Sequence, residues 1–154
     1  MKVNLINNNS PYFGKLLYRN KPMVEKALKG KPEIQECIQR AAEDLKDTEH
    51  EMVIYSNDGN LLSHHVEVGE DQCLTYIDCA KKSEESPNTL KVYGFVYDVV
   101  EGYKSIDYNE CEIKFKDENN VTKYEQLINS CNDENRDIAC LKRAVIVTKA
   151  LDEE

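Results

Sequence analysis

The chain has 154 residues, 40% hydrophobic and 32% charged, with a net charge of −9. That size suits one domain with a real core, and the composition excludes a disordered chain. No apolar run approaches the roughly 20 residues that span a bilayer, so no membrane-spanning helix and no membrane partner are expected, and the acidic balance disfavours direct nucleic-acid binding.

The charge is unevenly spread. Residues 1–46 carry nine Lys/Arg against five Asp/Glu, residues 47–118 carry six against seventeen, and residues 119–154 carry five against seven. The middle segment therefore holds a net −11, a field that repels phosphates and attracts a basic protein surface. A solvated acidic face that merely keeps the protein soluble is the competing reading.

At the N-terminus, MKVNLINNNSPYF lacks the apolar segment of a secretory signal. The expectation is a cytoplasmic protein, the alternative a secreted mature chain whose leader is gone. Val3 to Ile6 is a short apolar piece before the breaker Asn7-Asn8-Asn9-Ser10-Pro11, and residues 1–10 read as an added strand or a frayed terminus. Tyr12 to Tyr18 reads as a loop or short turn over the core edge. Pro22 opens a short helix with Met23, Val24, Ala27 and Leu28 inward, and Gly30 closes it.

From Pro32 the apolar positions Ile34, Cys37, Ile38, Ala41 and Leu45 recur at steps of three and four, the stripe of an amphipathic helix over about 32–47. Proline fits the first turn, where its missing N–H costs nothing, and Glu33 favours the positive helix start. Met52 to Ser56 and Leu61 to Val68 flank Asn57-Asp58-Gly59-Asn60, a hairpin signature. A third strand, Cys73 to Cys79, follows the turn at Gly69-Glu70-Asp71. Lys81 to Thr89 is a polar loop, a candidate mobile or binding segment.

Leu90 to Val100 is the longest strand, with apolar residues on both faces, which predicts a central strand covered on both sides. Tyr103 to Lys116 carries one or two further strands. Thr122 to Glu125 fits a capping box before a helix bearing Leu127, Ile128 and Cys131, although a strand return through Val121 to Tyr124 also fits. Asp133 is placed as the cap of a last helix, within a helical region of about 123–151. The β-prone run Ala144 to Thr148 argues for an earlier end. The whole reads as one α+β domain over 1–154: an N-terminal helix, an antiparallel sheet of roughly five strands over about 51–116, and one or two C-terminal helices, packed on one face.

Six cysteines permit a disulfide framework in an oxidising compartment. Cys37 sits on a helix stripe, Cys111 alternates with Ile113 and Phe115, and Cys73 and Cys79 lie roughly 20 Å apart in a straight strand. Cys131 and Cys140 are the best-placed pair. Their positions favour reduced thiols.

No cofactor motif is present. His64 and His65 point to opposite faces of a strand, so a metal would need His65 with Glu67, Cys73 or Cys79. Residues 107–118 echo a calcium loop, but Glu112 stands where that loop needs glycine. There is no Gly-rich phosphate loop, G-x-S-x-G or H-E-x-x-H, and no thiol is singled out among three histidines for nucleophilic work.

Tyrosine supplies the remaining signal. Tyr93 and Tyr97 bracket Phe95 on one strand face, with Glu101, Asp107, Glu110 and Glu112 nearby. Rigid aromatic area beside carboxylates suits a protein interface. Those six residues (Tyr93, Tyr97, Glu101, Asp107, Glu110, Glu112) form the candidate binding surface of a small, non-catalytic protein of the inhibitor, immunity or anti-defence type, with a basic protein as partner. The alternatives are a small-ligand or enzymatic domain with a pocket near Tyr93, Tyr97 and His64, and a secreted disulfide-bonded module.

Overall fold

The computed structural model describes residues 15–68 and 72–154 and, for residues 99 and 100, the backbone alone. The readings at Val3 to Ile6, residues 1–10 and Gly69-Glu70-Asp71 lie outside the described residues. The architecture is α+β, a six-stranded, mixed and mostly antiparallel sheet with helices packed on it. In chain order it runs β1 (Leu16–Arg19), α1 (Lys21–Leu28), α2 (Pro32–Asp44), β2 (Met52–Tyr55), β3 (Ser63–Glu67), β4 (Gln72–Lys82), β5 (Thr89–Val100), β6 (Tyr103–Lys114), α3 (Asn119–Asn129) and α4 (Arg136–Leu151).

The strands are ordered β1 to β6 across the sheet. The five expected antiparallel strands are β2 to β6. The segment before Arg19, expected as a loop or short turn, contributes a sixth strand instead: β1 pairs in parallel with β2, Leu16 opposite Met52. Leu16 and Leu17 point to opposite faces and both are buried, so this short strand has no polar alternation to announce it. Its partner arrives only after the two helices α1 and α2, a crossover connection.

Residues paired across strands share a face. Leu16, Met52, Val66, Leu74 and Val96 thus form one row through five strands, and all are buried. Leu17, Val53 and His65 form a buried row on the opposite side of β1 to β3. Helix α4 packs on β2 to β4 and α3 on β4 and β5, whereas α2 lies mainly against α4. Of the predicted stripe, Ile34, Ile38 and Ala41 of α2 are buried and Leu45 closes it just beyond the helix end, while Cys37 is half-buried and Ala42 joins the buried set.

The α1–α2 break falls at Lys29 to Lys31, with Gly30 in the left-handed region at φ 76°. In the β2–β3 turn, Asp58 Oδ1 accepts from the amides of Asn60 (2.8 Å) and Leu61 (2.9 Å), and Gly59 has φ 75°. These amides are the main reason the Asp58 carboxyl is held below its usual range.

Both C-terminal helices start differently from expectation. Helix α3 begins at Asn119, with Asp117 Oδ1 accepting from the Asn119 amide (2.9 Å), so Thr122 is interior and no capping box forms. In α4 the cap is Asn135, whose side chain accepts from Asp137 N (2.9 Å) and Ile138 N (3.3 Å). Asp133 instead takes the Lys142 ammonium at 2.8 Å. The helix continues to Leu151 despite its β-branched run, because Ala144, Val145, Val147, Thr148, Ala150 and Leu151 are all buried. Tertiary burial outweighs local propensity there.

Helix α3 also completes the sheet. Strand β3 covers only the first residues of β4, and beyond it the free edge of β4 is satisfied by side chains. Asn129 accepts from Ala80 N (2.9 Å) and donates to Ala80 O (2.8 Å), and Glu125 accepts from Lys82 N (2.8 Å). The polar loop shrinks to residues 83–88 and is tied internally, Ser83 N to Thr89 O at 3.0 Å and Thr89 N to Ser86 O at 3.2 Å.

Candidate functional site: the β5–β6 hairpin face

Strand β5 is not a central strand covered on both sides. Among the described residues it lies next to last in the sheet, between β4 and the edge strand β6. Leu90, Val92 and Val96 are buried on one face, whereas on the other Tyr93 and Tyr97 are half-buried and Phe95 is 40% exposed. Alternation of apolar residues on both faces has a different cause here: one face is core and the other is an open aromatic surface.

Register assigns the candidate residues. Lys91 faces Glu112, Tyr93 faces Glu110, Phe95 faces Tyr108 and Tyr97 faces Ile106. The structure therefore brings Tyr93, Tyr97, Glu110 and Glu112 together. Asp107, opposite Val96, points to the other side of β6, and Glu101 sits at the hairpin tip with φ 53° beside Gly102. Three further residues belong to the open face: Phe95, Ile106 and Tyr108, the last two 56% and 52% exposed. Period-two counting along Tyr103 to Lys114 would have placed Ile106 and Tyr108 beside Glu110; their exposure depends on β6 lying at the edge.

A bulge in β4 shapes the floor of this surface. Thr75 pairs with Phe95 and Cys79 with Tyr93, so Tyr76, Ile77 and Asp78 all confront Gly94. A Cβ on Gly94 would lie 2.9 Å from Thr75 O and 3.1 Å from Tyr76 O, which only glycine avoids. Tyr76 takes φ 48°, and Arg143 of α4 donates to the Ile77 carbonyl at 3.0 Å and to that of Cys131.

The bulge aims Tyr76 at its neighbours. Tyr76 and Phe95 meet edge to face at 6.3 Å between ring centroids, and Phe95 and Tyr108 at 5.7 Å. Tyr108 donates to Asp78 Oδ2 at 2.7 Å, and that bond is the main cause of its phenol being pushed up to about 12. Lys91 Nζ lies 3.8 Å from Glu110. A cleft of about 700 Å³ separates the ladder from the start of α4, with Tyr76, Phe95, Tyr108 and Asp78 on one side and Arg136 and Asp137 on the other.

The other chemistry-bearing residues fall elsewhere. His64 is buried on the face of Val66, against Tyr76 (ring centroids 5.7 Å), so register sets it on the face opposite to Tyr97. Its Nε2 has no hydrogen-bond partner among the described residues. Burial, with His65 as a lesser cause, pushes its pKa down to about 4. His65 is buried on the opposite face against Tyr55, ring centroids 5.3 Å apart. Among the described residues no three His, Cys, Asp or Glu side chains are grouped to hold a metal ion.

All six cysteines are free thiols, including Cys131 and Cys140. Burial pushes the thiols of Cys37, Cys79, Cys131 and Cys140 up, and that of Cys111 up to about 11, the opposite of nucleophilic activation. A second cleft, about 790 Å³, runs between α2, α3 and α4, with Cys37, Leu127, Ile138 and Val145 on its walls and Lys142 and Asp133 at its rim. No helix among the described residues is long and apolar enough to cross a membrane.

No protein-family model matches the chain, and neither does any curated protein or any solved structure.

Proposed function

We propose that the protein is a small acidic interaction protein of the inhibitor, immunity or anti-defence type, binding a basic protein partner through the open face of the β5–β6 hairpin. The observation that carries this reading is the exposed ladder Tyr76, Phe95 and Tyr108, flanked by Ile106 and by the carboxylates Asp78, Glu110 and Glu112. Water-exposed aromatic area with anionic neighbours is poorly used in a monomer, but it suits a partner offering Lys or Arg. A cation then gains both a ring face and a carboxylate. The charge of −9 steers such a partner from a distance and raises the association rate.

The test is capture from the source cell's lysate at low salt with wild-type and Glu110→Gln/Glu112→Gln bait, followed by binding kinetics with the purified partner. A basic protein held by the wild type, released by salt and captured more slowly by the variant supports the reading. Affinity indifferent to salt and to both substitutions overturns it. Phe95→Ala is expected to act on the dissociation rate, since the ring contributes contact area rather than steering.

A second reading rests on the 790 Å³ cleft between α2, α3 and α4, large enough for a small molecule. Thermal stabilisation by a metabolite, abolished by Leu127→Glu and unaffected by the hairpin variants, would favour it.

A further inference from the structure

Strand β6 ends the sheet, and among the described residues no strand pairs with its outer side. Eight consecutive residues from Tyr103 to Glu110 are exposed. A twelve-residue edge of this kind is an open template for another strand.

Its hydrogen-bonding direction follows from one bond. Phe115 N donates to Asn88 O at 2.8 Å, which makes that pair a hydrogen-bonded one. Hydrogen-bonded and non-hydrogen-bonded pairs alternate along an antiparallel ladder, and the β5–β6 register is unbroken. Lys104, Ile106, Tyr108, Glu110 and Glu112 therefore fall at non-hydrogen-bonded positions and direct their N–H and C=O groups away from β5. The Glu110 amide bears this out: it points outward and is taken by its neighbour's side chain, Asn109 Oδ1 at 2.9 Å.

The outward row reads cation, aliphatic, aromatic, acid, acid. Reversed about its centre, that order sets the cation against the last acid, the aromatic against itself and the aliphatic against the first acid, so its charge complementarity lies at the two ends. We infer that β6 is a homodimerisation edge, pairing antiparallel with β6 of a second copy about a two-fold axis at Tyr108. In that register Lys104 of each copy faces Glu112 of the other, the two Tyr108 rings meet on the axis, and Asp107 faces the neutral Asn109. Neither Lys104 nor Glu112 has an ion-pair partner within the described chain. Moving the axis to Asp107 or to Glu110 sets a carboxylate against its own copy, which disfavours both shifts. The Asn109 side chain must release the Glu110 amide for the ladder to form, so it guards the edge in the monomer. The aromatic faces of the two copies then lie side by side on one continuous sheet.

The experiment is sedimentation equilibrium of the purified full chain, with reductant and no partner, in about 0.15 M salt, where the roughly 8 Å screening length mutes the repulsion between two acidic chains. Wild type is compared with Lys104→Glu, Glu112→Lys and the double swap. Each single change converts two symmetry-related attractions into repulsions and is expected to weaken the dimer roughly tenfold or more. The double swap restores the attraction and is expected to recover the dimer. A wild type monomeric at all accessible concentrations overturns the inference. So does a dimer indifferent to the single changes, or a double swap no stronger than its parents. Because no partner is present, the outcome is independent of the basic-partner reading.

Discussion

His64 is a neutral imidazole sealed in the core, and that has a pH consequence. Its pKa falls from 6.5 in the unfolded chain to about 4 in the fold. Between those values the unfolded state binds the extra proton, so stability is complete above about 6.5 and declines as pH falls toward 4. The loss from this one group amounts to about 3 kcal/mol. Urea unfolding from pH 7 to pH 4 should show that slope, and His64→Gln should flatten it at a lower overall stability. Gly94 is the second decisive residue. Gly94→Ala forces a Cβ to within 2.9 Å of the Thr75 carbonyl, and the bulge must open or the strand shift. The expected cost is about 1–3 kcal/mol by chemical denaturation.

At the scale of elements, side chains close the gaps that backbone pairing leaves. Asp152, just past α4, accepts from the amides of Glu49 (3.0 Å) and His50 (3.0 Å) and pairs with His50 Nδ1 at 2.7 Å, fastening the chain's end to the entry of β2. Burial opposes ionisation of that carboxyl, but these hydrogen bonds prevail and hold it below the usual carboxylate range. Asp152→Ala leaves two amides without their acceptor and should cost about 1–3 kcal/mol, read as a lowered urea midpoint. Asn135→Ala should cost about 1 kcal/mol through the lost cap, whereas Asp133→Ala should cost less, because its exposed Lys142 pair is worth little. That contrast distinguishes the observed cap from the one local sequence suggests. Asp133 and Asn135, three residues and one residue before the helix, are equally good caps by type, and only the path of the chain out of Cys131 decides between them.

For the whole molecule, the six thiols argue for a fold that holds itself together without covalent staples. Denaturation without reductant should expose six thiols to a chromogenic disulfide reagent, and a smaller number would revive the disulfide-bonded module. The acidic middle segment maps onto β2 to β6, so the sheet that carries the core also carries the charge. Its burial is lopsided. Strands β1 to β3 are buried on both faces, while the β5–β6 hairpin leaves one face and one edge open.

The amphipathic stripe of α2, the β2–β3 turn chemistry and the strand–turn–strand order of β4 to β6 were legible in the sequence alone. Each depends on side chains within a few residues of one another, and period and turn propensity act at that range. The same alternation put Tyr93, Phe95 and Tyr97 on one face, whereas the β5–β6 register was needed to bring Glu110 and Glu112 to it. Three things depended on tertiary structure. β1 became a strand because a parallel partner 36 residues away accepted it. The β4 bulge existed because Gly94 and Arg143, neither near it in sequence, stabilised it. Phe95 and Tyr108 became surface rather than core because β6 ended the sheet. Local patterning states which residues share a face; whether that face meets a helix or water is decided by the order in which strands assemble.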